Sequence, residues 1–419
     1  MSTSRDRVSD ETSGTVLAHE EGGAKERTIE TDATEADELL VGPESEREPT
    51  ISIVMPTLNE EEGVGECITR AKRAIAELGV PAEIILSDSS TDRTPEIGRK
   101  MGATIVTPDE PGYGYAYRYA FDRARGEFIV IGDADTTYDF EKIPELLDRL
   151  EETGADMVMG SRLEGEIKSG AMPPLHQYIG NPLLTKFLNA FYDAGVSDAH
   201  SGFRIIRRSS LEYLDLKSDG MEFASEMIME AGAKDMVIEE VPITYHEREG
   251  EATLESFKDG WRHVRFMLVN APGYLFSAPG AALSGIGLLV MILAVIGESI
   301  NGVTPGVHSM IAGSLLTIVG YQIGTLGVFA AVTSDPIQKP EDPITERITG
   351  SLSLERGATI GLVIFTAGGL YAGVLLIEWI SGGFGTMEFT IGSLVAFTAI
   401  IIGLQTVFSS FYLSALREL

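Results

Sequence analysis

The chain has 419 residues, of which 44% are hydrophobic, so it is long enough for roughly two or three domains with sizeable cores. Its 63 acidic residues outnumber 32 basic ones, and the formal net charge of −31 argues against nucleic-acid binding through a broad basic face. The single cysteine, Cys67, excludes an internal disulfide and a cysteine-based zinc or iron–sulfur site.

The acidic excess is spread along the whole chain. Residues 1–48 hold 5 basic against 14 acidic residues, and residues 272–419 hold 4 against 9. Such a distribution suits concentrated salt, where the Debye length falls to on the order of 3 Å and self-repulsion is screened. We therefore predict a halophilic protein; the alternative is an acidic surface that avoids partners in ordinary salt.

The N-terminal segment, residues 1–48, is predicted to be a disordered acidic tail. It contains few large apolar residues and no periodicity, so it cannot bury enough surface to offset the entropy of ordering. It also lacks the basic and apolar regions of a signal peptide, and the domain that follows is therefore expected to stay in the cytoplasm.

Strand-like and helix-like segments alternate through the next part of the chain. The predicted strands are 51–55, 82–86, 104–106, 128–131 and 156–159. The predicted helices between them are 61–78, 95–101, 115–125 and 143–152. This alternation predicts an α/β fold with a mainly parallel, Rossmann-like sheet, in which ligands bind beyond the carboxyl ends of the strands.

Polar motifs follow three of these strands: Pro56-Thr-Leu-Asn-Glu60, Ser87-Asp-Ser-Ser-Thr-Asp92 and Gly132-Asp-Ala-Asp135. Each also has an ordinary explanation as a helix cap or a turn, and Asp-x-Asp arises easily by chance in so acidic a chain. Their joint placement favours a binding site. One or both of Asp133 and Asp135 would face a hard divalent cation, whose natural partner is a nucleotide diphosphate.

An amphipathic segment is predicted at 254–270. Apolar residues repeat there at spacings of three and four, namely Leu254, Phe257, Trp261, Val264 and Leu268. Basic side chains surround this stripe, among them Lys258, Arg262, His263 and Arg265. The pattern is typical of a helix at an anionic lipid surface. The alternative is a helix packed on its own domain.

The C-terminal part, 271–419, is predicted to be a membrane domain. Its four long apolar stretches, 275–296, 310–332, 357–377 and 389–413, can each span roughly 30 Å of hydrocarbon. The alternative is two buried helical hairpins of a soluble protein. The loops at 297–309 and 381–388 lack Lys and Arg, whereas Lys339, Arg347 and Arg356 lie between the second and third stretches. This asymmetry places the N-terminal domain on the cytoplasmic side of the cell membrane.

The order of these motifs resembles the family 2 glycosyltransferases with the GT-A fold, from about Ile51 to Leu268. The resemblance implies a catalytic domain at 49–253 and a divalent cation, Mg²⁺ or Mn²⁺, bound by Asp133 and Asp135, of which Asp135 is the better ligand. It also implies that a nucleotide sugar is bound by Pro56, Thr57, Asn59, Glu60, Asp88, Gly112, Gly114, Asp133 and Arg162. Gly112 and Gly114 are equally typical of a loop before a helix.

Three further motifs, Gly160-Ser-Arg162, Gly180-Asn-Pro-Leu-Leu-Thr185 and Asp198-Ala-His-Ser-Gly-Phe-Arg204, resemble the subgroup that makes dolichyl-phosphate and polyprenyl-phosphate sugars. This implies inverting transfer of a hexose, glucose or mannose, from UDP- or GDP-hexose to the lipid phosphate at the cytoplasmic membrane face. The product would be a donor for protein or surface glycosylation. Asp198 would be the catalytic-region carboxylate, acting directly or orienting the acceptor or an arginine.

Arg204 and Arg248 are the candidates for the acceptor phosphate, because a planar guanidinium can hold two phosphate oxygens; their alternative is a structural ion pair. The chain departs from the subgroup at Ser87, where an aspartate is usual, and at Ala252 and Thr253, where serine and lysine are usual.

Two other functions stay open. One is transfer to a lipid-linked saccharide or a glycolipid, and the other is a non-catalytic carrier of lipid-linked sugars that binds nucleotide sugars.

Overall fold

The computed structural model describes residues 36–250, 256–297, 299, 304–333, 337, 354–384 and 390–417. Most of the predicted acidic tail lies outside the described residues, as do Ala252, Thr253, Lys339 and Arg347. The contacts divide the chain into two compact units. The first contains residues 36–172, 201–213 and 239–250, and the second contains 173–200, 214–238 and the described residues from 256 onward.

The first unit is built on a seven-stranded sheet with the order β3-β2-β1-β4-β6-β5-β7. Its strands are β1 Ile51–Thr57, β2 Ala82–Asp88, β3 Thr104–Val106, β4 Phe128–Ile131, β5 Met157–Ile167, β6 Arg204–Arg207 and β7 Ile238–Tyr245. Strands β1 to β4 pair in parallel, as predicted, whereas β6 runs antiparallel to both β4 and β5. The α/β prediction is confirmed, with a mixed sheet, and β6 and β7 were not predicted.

Helices connect these strands: α1 Val64–Leu78, α2 Thr94–Lys100, α3 Tyr113–Phe121, α4 Ile143–Thr153 and α6 Arg208–Tyr213. In α1 the buried residues recur at spacings of three and four, so one face packs on the sheet, and the helix ends at Gly79 with a left-handed φ of 64°. In α4 the residues Ile143, Leu146, Leu147 and Leu150 join the same core. The apolar strands β1, β2 and β4 are therefore covered and their polar ends are left at one edge.

A short piece of the predicted tail belongs to this unit. Residues 36–39 form a helical turn, Ala36 is fully buried, and the Val41 amide donates to the Ala82 carbonyl at 2.8 Å. The apolar cluster Leu39-Leu-Val41, with Ala36 before it, explains this difference, because burying these side chains offsets the entropy of ordering. Residues 36–48 therefore belong to the first unit, ahead of its predicted start at 49.

Replacing Gly165 tests how closely β5 and β7 approach each other in the sheet. A methyl group at this position of β5 would collide with the backbone carbonyl of Ile243 in β7. We expect Gly165→Ala to lower the free energy of unfolding by about 3 kcal/mol, the upper end of the usual cost of overpacking, because backbone cannot yield as a side chain does. Pulse proteolysis in urea measures this change. Gly42→Ala, at which a methyl meets no atom within 4 Å, is the control, and an equal effect of both would contradict the packing.

The second unit contains α5 Asn181–Tyr192, α7 Phe223–Ala233 and α8 Ser256–Val269. Helix α8 covers the segment predicted to be amphipathic. Met267 on it is fully buried, whereas the Trp261 side chain is 60% exposed, together with its exposed neighbours Arg262 and Arg265. The helix thus has one packed face and one face that carries an aromatic ring and two positive charges.

Four helices follow: α9 Ala278–Ile296, α10 Val307–Thr333, α11 Leu354–Ser381 and α12 Ile391–Arg417. Each is long and apolar enough to cross a membrane, which confirms the four predicted spans. Helices α9 and α10 approach closely because Gly280 and Gly287 face backbone atoms of α10. Helices α10 and α12 are joined by a hydrogen bond of 2.9 Å from the Tyr321 hydroxyl to Thr406.

Candidate functional site

The predicted site residues after β1, β2 and β4 share one edge of the sheet. Strand β1 lies between β2 and β4 and is parallel to both, so the three carboxyl ends point the same way. Thr57 and Asp88 are directly paired in register, and Val54 pairs with Ile131, just before the Asp133-Ala-Asp135 motif. The tertiary structure therefore brings together three motifs that are separated by up to some 70 residues in the sequence.

Side-chain hydrogen bonds join the loops after β1 and β2. The Thr57 hydroxyl donates to the Asp88 carboxylate at 2.8 Å, and both residues are buried. Asn59 has a left-handed φ of 59°, and its side-chain oxygen accepts from the backbone amide of Thr91 at 2.9 Å. The predicted alternative for Thr57, a capping box, is not formed, because α1 begins at Val64 after an N-cap without a side-chain hydrogen bond. These residues hold two loops at a fixed separation.

Ser87 shows what replaces the aspartate that is usual in the subgroup. Its buried hydroxyl donates to the backbone carbonyl of Ala116 in α3 at 2.7 Å. Helix α3 begins after Gly112, whose φ of 144° favours glycine, and Gly114 is buried in its first turn. Gly112 thus precedes a helix tied to β2, as the loop alternative stated, whereas Gly114 lies inside that helix. A role of both glycines in donor binding stays a prediction.

An arginine lies between two of the predicted carboxylates. Arg248 forms a short hydrogen-bonded ion pair with Glu60, and its second terminal nitrogen lies 3.3 Å from Asp135. Asp135 is itself oriented, because its other oxygen accepts from the Thr137 hydroxyl at 2.5 Å and from the Thr137 amide at 3.2 Å. Glu60, Asp135 and Arg248 therefore form one cluster from segments almost 190 residues apart.

Tyr113 is a site residue that sequence reasoning missed. Its hydroxyl donates to Asp133 at 2.8 Å, and the second oxygen of Asp133 lies beside Gly202, where a β-carbon would be 3.2 Å away. The signal was present, because Tyr113 lies inside the Gly112-Tyr-Gly-Tyr-Ala116 segment, but only its glycines were selected. Asp133 is consequently held in one orientation before any ligand binds.

Burial and neighbouring negative charges raise the pKa values of two carboxyl groups in this cluster. Burial, opposed by Arg248 and reinforced by Asp135 and Asp133, raises the pKa of Glu60 to about 7. Burial and the neighbouring Asp135 likewise raise the pKa of Asp133. Repulsion between these carboxylates favours binding of an additional cation.

The carboxylates of the site can supply part of the coordination shell of a hard divalent cation. Asp133 and Asp135 supply carboxylate oxygens, the ligands that Mg²⁺ and Mn²⁺ prefer. Within the part of the chain that the structure describes, no group of three or more Asp, Glu, His or Cys residues is arranged to hold a metal by itself. The remaining ligands would therefore come from water and from a bound diphosphate, as is usual for Mg²⁺.

Two of the other predicted site residues, Arg162 and Arg204, are buried arginines. Arg162 is buried, and its guanidinium lies 5.3 Å from the centre of the Tyr245 ring. Arg204 is fully buried at the start of β6, where its Nε donates to the Ser201 carbonyl at 3.0 Å. This hydrogen bond ties Arg204 to the segment that precedes β6, and its role toward the acceptor phosphate stays a prediction. Pro56 lies within β1.

Asp198 lies in the second unit and is fully buried. The segment around it is tied to α5, since the Asn189 side chain donates to the Val196 carbonyl at 2.7 Å and Thr185 accepts from the Ala199 amide at 3.2 Å. Thr185 is the last residue of the predicted Gly180–Thr185 motif, so one of the subgroup motifs holds another. Asp198 thus lies between two points at which the segment is attached to α5.

The chain is similar to several known proteins. Residues 52–214 match the model of glycosyl transferase family 2, and residues 328–417 match the glycosyltransferase family 2 C-terminal transmembrane region. The chain is 57% identical to the low-salt glycan biosynthesis hexosyltransferase Agl6 of Haloferax volcanii, over 91% of this chain and 92% of that one. It is 33% identical to the dolichyl-phosphate hexose transferase of the same organism, over 50% of this chain and 89% of the relative.

The chain is also similar to a solved structure. Glucosyl-3-phosphoglycerate synthase from Mycobacterium tuberculosis, crystallised with Mn²⁺, UDP and glucosyl-3-phosphoglycerate, matches with a TM-score of 0.43 and 22% identity. The match covers 58% of this chain and 83% of that one.

Proposed function

This chain belongs to glycosyltransferase family 2, and we propose that it transfers a hexose from a nucleotide diphosphate sugar to dolichyl or another polyprenyl phosphate. The observation that carries the proposal is the carboxylate cluster of Glu60, Asp133 and Asp135 with Arg248 at the carboxyl ends of the strands. The names of the similar haloarchaeal proteins, a hexosyltransferase and a dolichyl-phosphate hexose transferase, support the same reaction class and acceptor.

The donor would bind where β1, β2 and β4 end. Asp88, which accepts a hydrogen bond from Thr57, would read the base, and Asp133 and Asp135 would hold Mg²⁺ or Mn²⁺ against the diphosphate. The cation would neutralise the negative charge that grows on the leaving nucleoside diphosphate. Whether the base is uracil or guanine depends on contacts around Asp88. The family resemblance implies inversion, hence a β-linked product from an α-linked donor.

The acceptor phosphate is already anionic, so it needs positioning and partial loss of water more than removal of a proton. Arg248 has a planar guanidinium at the donor carboxylates and can exchange a carboxylate partner for a phosphate oxygen. Asp198 would act directly as the catalytic-region carboxylate, or would orient the acceptor or an arginine, from a segment attached to α5. Arg204 is the second candidate for the acceptor phosphate, and its Nε also holds the segment before β6 through the Ser201 carbonyl.

The membrane region supports a lipid acceptor. Four helices are suited to crossing a bilayer, and α8 precedes them with Trp261, Arg262 and Arg265 exposed, as expected for a helix at an anionic lipid surface. The distribution of basic residues in the loops favours a catalytic domain on the cytoplasmic face. Haloarchaeal relatives and the acidic composition support function in high salt.

Replacing Asp88 tests donor recognition. We expect Asp88→Asn to raise the KM for the nucleotide sugar by roughly 10- to 100-fold with little change in kcat, because a charge-assisted hydrogen bond to the base would be lost equally in the ground and transition states. Steady-state kinetics with varied donor measures this. Thr57 can still donate to the amide oxygen, so folding should be kept. A change confined to kcat would assign Asp88 to the reaction itself.

The direct test of function uses membranes that contain the protein, in high salt with Mn²⁺, dolichyl phosphate and labelled UDP- and GDP-hexoses. Label in a lipid monophosphate that mild acid cleaves is the expected result, and it would also identify the sugar and the base. Label only in larger lipid-linked saccharides or glycolipids would favour the alternative acceptors. Nucleotide binding without transfer to any lipid would favour the non-catalytic carrier.

A further inference from the structure

A buried serine joins two histidines in the second unit. Ser225, in the first turn of α7, is fully buried, and its hydroxyl lies 3.2 Å from Nε2 of His200 and 2.9 Å from Nδ1 of His263. The two imidazole rings also meet edge to face, with centres 4.9 Å apart. His200 follows Asp198 by two residues, and His263 lies on α8. The three side chains therefore connect the Asp198 segment to the helix that precedes the membrane spans.

The chemistry of these groups makes the connection specific. A hydroxyl has one proton to donate and lone pairs to accept, and a neutral imidazole has one donor and one acceptor nitrogen. Ser225 can donate to one ring only, so the other ring either donates to its oxygen or loses the hydrogen bond. The two half-buried rings are thus coupled through one buried oxygen atom.

The segment 196–200 has no regular secondary structure, so side chains from neighbouring elements hold it. Helix α5 holds Val196 through Asn189 and Ala199 through Thr185. The Ser225 bridge holds His200 from the other direction, through α7 and α8. Asp198 lies between these attachments.

We propose that Ser225, His200 and His263 are positioning residues that set the Asp198 segment according to the placement of α8. The inference rests on the proposed function in taking Asp198 as the carboxylate of the transfer reaction. The outward face of α8 carries Trp261, Arg262 and Arg265, so a lipid surface that orders this helix also orders His263 and, through Ser225, His200. The segment that carries Asp198 is therefore correctly positioned when the protein is bound to the membrane.

The kinetic test compares replacements that remove or keep the hydrogen-bonding atom. Ser225→Ala, His200→Ala and His263→Ala should each lower kcat by about 10- to 100-fold in vesicles of anionic archaeal lipid, with the donor KM unchanged, because the reacting groups are misplaced. Asparagine has a polar atom where Nδ1 lies and glutamine where Nε2 lies. His263→Asn and His200→Gln should therefore recover most of the activity.

Tyr192→Phe is the matched control. It removes another buried hydrogen bond to α8, from the Tyr192 hydroxyl to the Met267 carbonyl at 3.4 Å, and leaves the hydrogen bonds of Asn189, Thr185 and Ser225 to the segment 196–200 in place. If the bridge only stabilised the packing of α8, this variant and Ser225→Ala would behave alike. We expect Tyr192→Phe to keep the kcat of the wild-type protein.

Amide hydrogen exchange gives a readout that does not depend on activity. In the full-length protein, exchange in 196–200 should speed up at least tenfold in Ser225→Ala and His263→Ala but not in Tyr192→Phe. Unchanged exchange and kcat in the alanine variants, or equal losses in the alanine and amide variants, would overturn the inference. A wild-type protein that transfers no hexose would instead overturn the proposed function, while the exchange result would still decide whether the bridge positions the segment.

Discussion

Asp135→Asn is expected to lower hexose transfer by on the order of 10³-fold and to abolish specific Mn²⁺ binding, because one carboxylate ligand is lost where charge develops on the leaving group. The asparagine oxygen can still accept from Thr137, so the local structure should persist. Transfer assays and electron paramagnetic resonance of Mn²⁺ measure the two effects.

Asp139→Asn is the control on the same loop. Asp139 accepts from the Glu141 amide at 3.1 Å at the start of a helical turn, and asparagine preserves that bond. This variant should keep wild-type activity and metal affinity. If Asp135→Asn bound Mn²⁺ as tightly as the wild type, the assignment of the metal site to Asp135 would be wrong.

Arg248→Ala is expected to change metal affinity and activity in opposite directions. Removing the guanidinium frees Glu60 and Asp135 and leaves the carboxylates less compensated, so Mn²⁺ should bind roughly five- to tenfold tighter, a difference of about 1 kcal/mol. Transfer should nevertheless fall by about 10²-fold, because the acceptor phosphate loses a charge-assisted partner. Mn²⁺ titration and kinetics with varied dolichyl phosphate measure both quantities.

Arg149→Ala is the comparison for Arg248→Ala, since Arg149 pairs with Glu239 in an exposed position where an ion pair contributes about 0–1 kcal/mol. It should leave metal affinity and transfer unchanged. A loss of transfer in Arg248→Ala with an unaltered KM for the lipid phosphate would reassign the guanidinium from the acceptor to the donor site.

Local sequence patterns predicted the elements well where one face of an element is apolar. The spacing of buried residues in α1 and α4 and the apolar runs of β1, β2 and β4 are sufficient for their type and position. Strand β7 was missed because Pro242 lies between Val241 and Ile243, and a proline within a short apolar run argues against a strand. Strand β6 is only four residues long and begins with a buried arginine, which gives no strand signal.

The sequence by itself determined the division into an acidic α/β domain and four apolar spans, and it identified the carboxylates at the strand ends. These properties depend on composition and on short periodic patterns, which are local. Only the tertiary structure decided that Arg248 meets Glu60 and Asp135, that Tyr113 holds Asp133, and that Ser225 joins two histidines. Those partners are far apart in the chain, and their meeting follows from strand order and helix packing, which no short segment encodes.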